Sequence, residues 1–284
     1  MRPEAVGPRG TDTWLQLRRD PQFVLSLLAL GLLAAIAVAP GLFGAGDPYD
    51  CALSRSLFRP SAGHWFGFDI QGCDYYTQTL LGTRNSLSIG ILVVACAVPI
   101  GLALGSLVGY YQGVVDVVMS RATDIFFAVP LVLGGAVILA FVPGRGVEEV
   151  TLVLVLLGWP PLLRLVRSTV LVAKREPYVE AARALGATDL RILRRHILPN
   201  AIWPTVVYAT VYVGVAITAE ALLSFMGVGL QLPTVSWGLM LARVQHRILQ
   251  APHLLFPGAF LAVTVGAFVL LGEALRRAFN PEAR

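Results

Sequence analysis

Long apolar runs alternate with short polar ones along the whole chain. The apolar runs fall at 23–42, 86–108, 125–142, 150–166, 201–223 and 254–275. Each has about the length of a helix that crosses a hydrocarbon core. None shows the period-two alternation of a membrane β-barrel strand. The pattern therefore predicts an all-α polytopic membrane protein with six transmembrane helices. It divides the chain into a polar segment at 1–22 and a transmembrane domain at 23–284. Polar loops follow at 43–85, 109–124, 143–149, 167–200 and 227–253, with a short tail at 276–284.

Several residues refine this picture. Ala37-Val38-Ala39 has the small-x-small form of a signal cleavage site, but Pro40 follows it directly and the apolar run is longer than a signal core. The run is read as an uncleaved first span. Pro99, Pro130 and Pro204 predict kinks, and Pro160-Pro161 predict an interruption of the fourth span. Gly101, Gly105 and Gly109 stand four residues apart. They form either a small face for close helix approach or glycines merely tolerated in a membrane helix.

Composition agrees: of 284 residues, 56% are hydrophobic and 14% charged. The net charge is +5, with 21 Arg and the single lysine Lys174. With the N-terminus inside, sixteen basic residues lie in cytosolic segments and six in outer ones, which orients both termini to the cytoplasm. The basic residues form no coherent face with interleaved aromatics, so the basic excess reads as membrane orientation in a lipid bilayer and not as nucleic-acid binding.

The most informative polar stretch is 177–200, on the cytosolic side of that topology. Pro177 suits a first helical turn, and residues 178–185 read as one short helix. Gly186 can turn the chain in the left-handed conformation, and Thr188 or Asp189 can cap a second helix. Leu190, Leu193 and Ile197 give that helix an apolar stripe, and Pro199 is expected to stop it before the fifth span. Such an element either wedges into a partner protein or lies on the inner membrane surface. Spacing alone leaves the two readings even.

Glu180-Ala181-Ala182, Gly186 and the Ile197-Leu198-Pro199-Asn200 ending together resemble the EAA loop of bacterial ABC importer permeases. The likeness extends to Gly109-Tyr110-Tyr111-Gln112-Gly113 with Asp116, Arg121, Asp124 and Pro130. It includes the run from Ala219 to Gly229 with Trp237-Gly238, and the stretch from His64 to Asp74. These look like the dipeptide/oligopeptide/nickel group, and the chain resembles its C-type permease subunit. Phe68 and Cys73 depart from that group's usual Thr and Arg. The resemblance implies a type I permease fold and a heterodimer with a second permease subunit. It implies two cytosolic ATPase subunits or domains that carry ATP and Mg, and an extracytoplasmic substrate-binding protein. The location implied is the bacterial inner membrane. It assigns Glu180, Ala181, Ala182, Gly186, Leu190, Leu193, Ile197 and Pro199 to ATPase coupling. The implied cargo is peptide, with glutathione, nickel chelate and haem-like compounds as open alternatives.

Candidate chemistry is sparse. No phosphate-binding G-x-x-x-x-G-K-[ST] occurs, so the chain is expected to bind no nucleotide and to hydrolyse none itself. No metal-ligand spacing occurs, and His64, His246 and His253 read as scattered surface residues. Glu220 lies late in the fifth span. It either faces the pathway or sits near the outer interface, capping or hydrogen-bonding a neighbouring helix. Glu273 is placed to pair with Arg276 and Arg277, and Arg121 with Asp124. Cys96 reads as inert packing. Cys51 and Cys73 share an outer loop, where a disulfide would add about 3 kcal/mol; two unpaired thiols are the alternative. Two rival functions remain: an ion-driven secondary carrier and a non-transporting membrane scaffold.

Overall fold

The computed structural model describes residues 10–279. A short helix α1, Gly10–Arg19, precedes the first span α2, Pro21–Val38. Asp20 starts α2, its carboxylate accepting the Gln22 amide at 2.8 Å. The segment before the first span was expected to be polar chain, and α1 is the helix that expectation lacked.

The second span α3 runs Tyr75–Tyr111, 37 residues, and begins well before residue 86. Its first turns are polar yet buried, because the loops before α3 and around α10 surround them. There the Thr79 and Thr83 hydroxyls satisfy themselves on carbonyls one turn back, at 2.7 and 3.0 Å. Asp74 caps this start by accepting the Thr77 amide at 2.8 Å. The outer loop expected at 43–85 therefore ends at α3. Cys96 sits exposed on this helix and is not packed inside the chain.

The link expected at 109–124 is helical. Helix α4, Gly113–Ala128, meets α5, Leu131–Phe141, at an 84° bend over Val129-Pro130. Pro130 thus breaks the third span, since its ring disfavours helical geometry in the residue before it. The fourth span α6, Val147–Ala173, passes unbroken through Pro160 and Pro161, contrary to the expected interruption. Glycines let its neighbours hold it there. A Cβ on Gly101 of α3 would lie 2.5 Å from Leu162 Cβ, and one on Gly158 would lie 2.2 Å from the Tyr212 hydroxyl.

Two short helices follow: α7, Pro177–Ala184, and α8, Asp189–Ile192. One π-helical stretch, Leu193–Ile197, joins α8 to the fifth span α9, Leu198–Phe225. The loop expected at 227–253 contains α10, Trp237–Val244, and the sixth span is α11, Phe256–Phe279. Among the described residues, five helices are long and apolar enough to cross a membrane, or six spans when the bent pair counts as one. Among the described residues β structure is limited to isolated bridges.

Helix α3 is the spine, packed along α6 and α9. Gly101, Gly105 and Gly109 all face α6, with added Cβ atoms 2.5, 2.7 and 2.9 Å from its atoms. The small-face reading of these glycines is the one realised. Because the atom facing Gly105 is the Leu163 carbonyl oxygen, which cannot swing aside, Gly105→Leu is expected to force the two helices apart. The expected cost is about 1–3 kcal/mol, read as a lowered unfolding temperature in detergent.

Candidate functional site

The connector is built on a buried base. Val179, Ile192, Leu193 and Ile197 pack with Val166, Val170 and Ala173 of α6, Tyr110 of α3 and Ala201 of α9. Leu193 and Ile197 occupy the predicted stripe, but Leu190 is 61% exposed and Ile192 takes its inward place. The reason is the phase of α8, which is too short and too tightly followed by the π stretch to keep the α period. Pro199 does not stop the helix either. In the π stretch the Leu198 amide bonds the Leu193 carbonyl, five residues back. The Asn200 side-chain amide donates to the His196 carbonyl at 2.8 Å and to the Tyr178 hydroxyl at 3.0 Å. The chain therefore runs as one helix from Asp189 into the fifth span.

Polar contacts lock this base to α3. The Tyr110 hydroxyl donates to Asp189 at 2.5 Å, and the Lys174 ammonium donates to the Tyr110 carbonyl at 2.5 Å. Lys174 also sits over the Tyr110 ring, 5.1 Å from its centroid. At the same end of the bundle, Arg167 forms a fork with Asp116 at 2.5 and 2.7 Å, tying α4 to α6. Asp124 pairs with Arg121 at 3.5 Å, but its shorter contact, 2.5 Å, is with Arg164 of α6. Sequence reading found Arg121 as the neighbour on the same helix and missed Arg164, which lies forty residues away along the chain. Glu273 pairs with Arg276 at 2.8 Å and Arg277 at 3.7 Å.

What projects from the base carries charged side chains, with Glu180, Arg183, Arg191, Arg194 and Arg195 all exposed, around a few apolar ones. Leu185 is 88% exposed, and Leu190 and Tyr178 are exposed beside it. Burial, with Glu176 nearby, holds the Tyr178 phenol above its ordinary pKa and therefore protonated. Gly186 turns the chain with φ +81°, and its amide and that of Ala187 close the end of α7 on the Arg183 and Ala182 carbonyls. Glu180, Ala181 and Ala182 line the outer side of α7, with Glu180 and Ala181 exposed and Ala182 half-buried. A cleft between Ala181, Leu185, Arg191 and His196 opens on the same surface.

At the opposite end, the loops before α3 and around α10 form a cap. Cys51 and Cys73 are joined as a disulfide across 22 residues, with Cys73 buried. Asp69 accepts the Gln71 and Cys73 amides at 2.8 and 2.9 Å. His64 meets Asp74 at 2.6 Å and is not an isolated surface residue. Burial holds Arg243, which faces Asp69 and Tyr75, below its ordinary pKa. Trp237 is fully buried and donates from its indole to the Thr79 carbonyl at 3.2 Å, while Gly238 lies against the Ala221 backbone. Glu220 is completely buried beside this cap. It accepts from the Ser224 hydroxyl at 2.8 Å, and Ser224 in turn accepts the Leu230 amide at 3.0 Å. The carboxylate thus holds the turn after its own helix.

A helical membrane bundle with a projecting two-helix connector at one end and a folded cap at the other has the form of a membrane permease. Residues 101–284 match the family described as binding-protein-dependent transport system inner membrane component, and the chain belongs to that family. It is 37% identical over 290 residues to the glutathione transport system permease protein GsiD of Pectobacterium atrosepticum, covering 100% of this chain and 95% of the relative. The Escherichia coli protein of the same name is 36% identical over 292 residues, covering 100% of this chain and 94% of its own. The chain is accordingly a multi-pass inner-membrane permease subunit of an ABC importer, without catalytic chemistry of its own. This sets aside the ion-driven carrier and the scaffold.

Proposed function

We propose that this subunit forms half of the pathway by which glutathione or similar short peptides enter the cell. A second, homologous permease subunit supplies the other half. Cytosolic ATPase subunits, which carry ATP and Mg, grip the projection formed by α7 and α8. A substrate-binding protein delivers cargo to the outer cap. Both termini face the cytoplasm, in keeping with the basic residues gathered at the connector end. The cargo assignment follows the relatives, which are named for glutathione transport.

One observation carries the coupling role. Leu185, Leu190 and Tyr178 expose apolar surface on an element whose base is fully packed and hydrogen-bonded. Apolar side chains rimmed by charged ones on a packed, hydrogen-bonded base suit a socket in another protein, because little ordering entropy opposes docking. Leu185→Asp places a charge at the centre of that contact. In proteoliposomes holding the assembled transporter, wild type is expected to take up labelled glutathione only with ATP. The variant is expected to insert normally but to lose most ATPase co-purification and uptake. Retention of both would refute the coupling role, and ATP-driven uptake of a different cargo alone would refute only the cargo.

A further inference from the structure

A second site lies at the same end of the bundle as the connector. Helix α1 does not trail into solvent. Leu17 packs with Phe23 of α2 and with Ala274 and Ala278 of α11. Asp20 and Gln22 hold Arg277 at 2.9 and 2.6 Å. Between α1 and the end of α11 a cleft of about 480 Å³ remains, lined by Gln16, Arg19, Gln22 and Arg277 among others.

Three features of this corner agree. The cleft walls carry two guanidiniums. Arg277 is engaged by Asp20, Gln22 and Glu273, but no ion pair among the described residues involves Arg19. Next to the cleft, Trp14 and Leu15 are exposed on α1, and Arg18 lies over the Trp14 ring at 4.8 Å. Trp and Arg side by side on a short helix are the residues that settle at the boundary between headgroups and acyl chains. Finally, Trp203 stacks on Phe279 at 4.2 Å near the end of α11, an aromatic pair of the kind that gathers at a membrane interface.

We propose that the α1–α11 cleft binds the phosphate headgroup of an anionic phospholipid of the inner leaflet, with Arg19 as the principal contact and Trp14 and Leu15 against its acyl chains. The Asp20 carboxylate keeps Arg277 oriented and limits the positive charge, so the site favours one phosphodiester over a polyanion. The inner-leaflet placement rests on the orientation proposed above; the lipid preference does not.

The assembled transporter would be purified from nanodiscs containing equal phosphatidylglycerol and phosphatidylcholine, and its retained lipid counted by native mass spectrometry. Wild type is expected to keep phosphatidylglycerol in preference to phosphatidylcholine. Arg19→Gln is expected to reduce that retention about fivefold, the effect of one basic residue at an anionic surface. Arg19→Lys is expected to restore most of it. Equal retention of the two lipids, or an Arg19→Gln variant indistinguishable from wild type, would overturn the site. Displacement of the lipid by inorganic phosphate would overturn it as a lipid site and make it one for free anions. Because lipid is counted directly, a failure here is separable from a failure of ATP-driven uptake.

Discussion

Gly186→Val is expected to leave the protein in the membrane and yet abolish ATP-driven uptake. Gly186 has φ +81° and nothing within 4 Å of an added Cβ, so the effect is on the backbone and not on packing. A β-branched residue in that conformation costs about 1–3 kcal/mol, which reduces the population of the native turn roughly fivefold to a hundredfold. The chain would relieve the strain by swinging α7 relative to α8, moving Leu185 off the docking position proposed above. Asn visits the left-handed region far more readily, so Gly186→Asn is expected to keep most of the activity. Measuring membrane insertion, ATPase co-purification and uptake on both variants checks the chain of causes. Normal uptake by the valine variant would show that the turn is not part of the coupling.

Trp237→Ala is expected to have the largest effect on stability. The side chain is completely buried where α10 meets α3 and α9, touching Gly82 and lying near Phe260. Its removal leaves a cavity and takes one donor from the Thr79 carbonyl, which keeps the Thr83 hydroxyl, a loss of about 3–5 kcal/mol. Trp237→Phe keeps most of the volume and loses only the indole donor, and is expected to lose about 1 kcal/mol. Thermal unfolding of the purified protein in detergent would order the three as wild type, Phe, Ala. A Phe variant as unstable as Ala would mean that the hydrogen bond, and not the packed volume, dominates.

The apolar runs made the spans legible because a bilayer demands about twenty apolar residues per crossing, and nothing local competes with that signal. The turn at Gly186 was legible for a similar reason: few residues other than glycine end a helix that way. The interior of the site was less so. Leu190 satisfies the helical period in the sequence, yet the π stretch after it shifts the phase and hands the inward position to Ile192. Pro199 carries the usual sign of a helix stop, but the same stretch makes room for it, and Asn200 bonds a carbonyl of the preceding turn. Pro160 and Pro161 carry the usual sign of an interruption, yet α6 continues through them, packed closely on α3 at Gly101 and on Tyr212 at Gly158. The Tyr110–Asp189 and Arg164–Asp124 contacts join residues 79 and 40 positions apart, and only the folded chain brings them together.

The unbroken course from Asp189 to Phe225 makes the projection and the fifth span a single rod of 37 residues. At the rise of an α-helix that rod is about 55 Å long. A tilt of about 10° around its midpoint carries each end some 5 Å in opposite directions, by the geometry of that length. On the coupling proposed above, push at the projection is expected to emerge as travel at the far end, beside Glu220 and the Trp237 cap, along one continuous helix whose irregular points are the Leu193–Ile197 π stretch and Pro204.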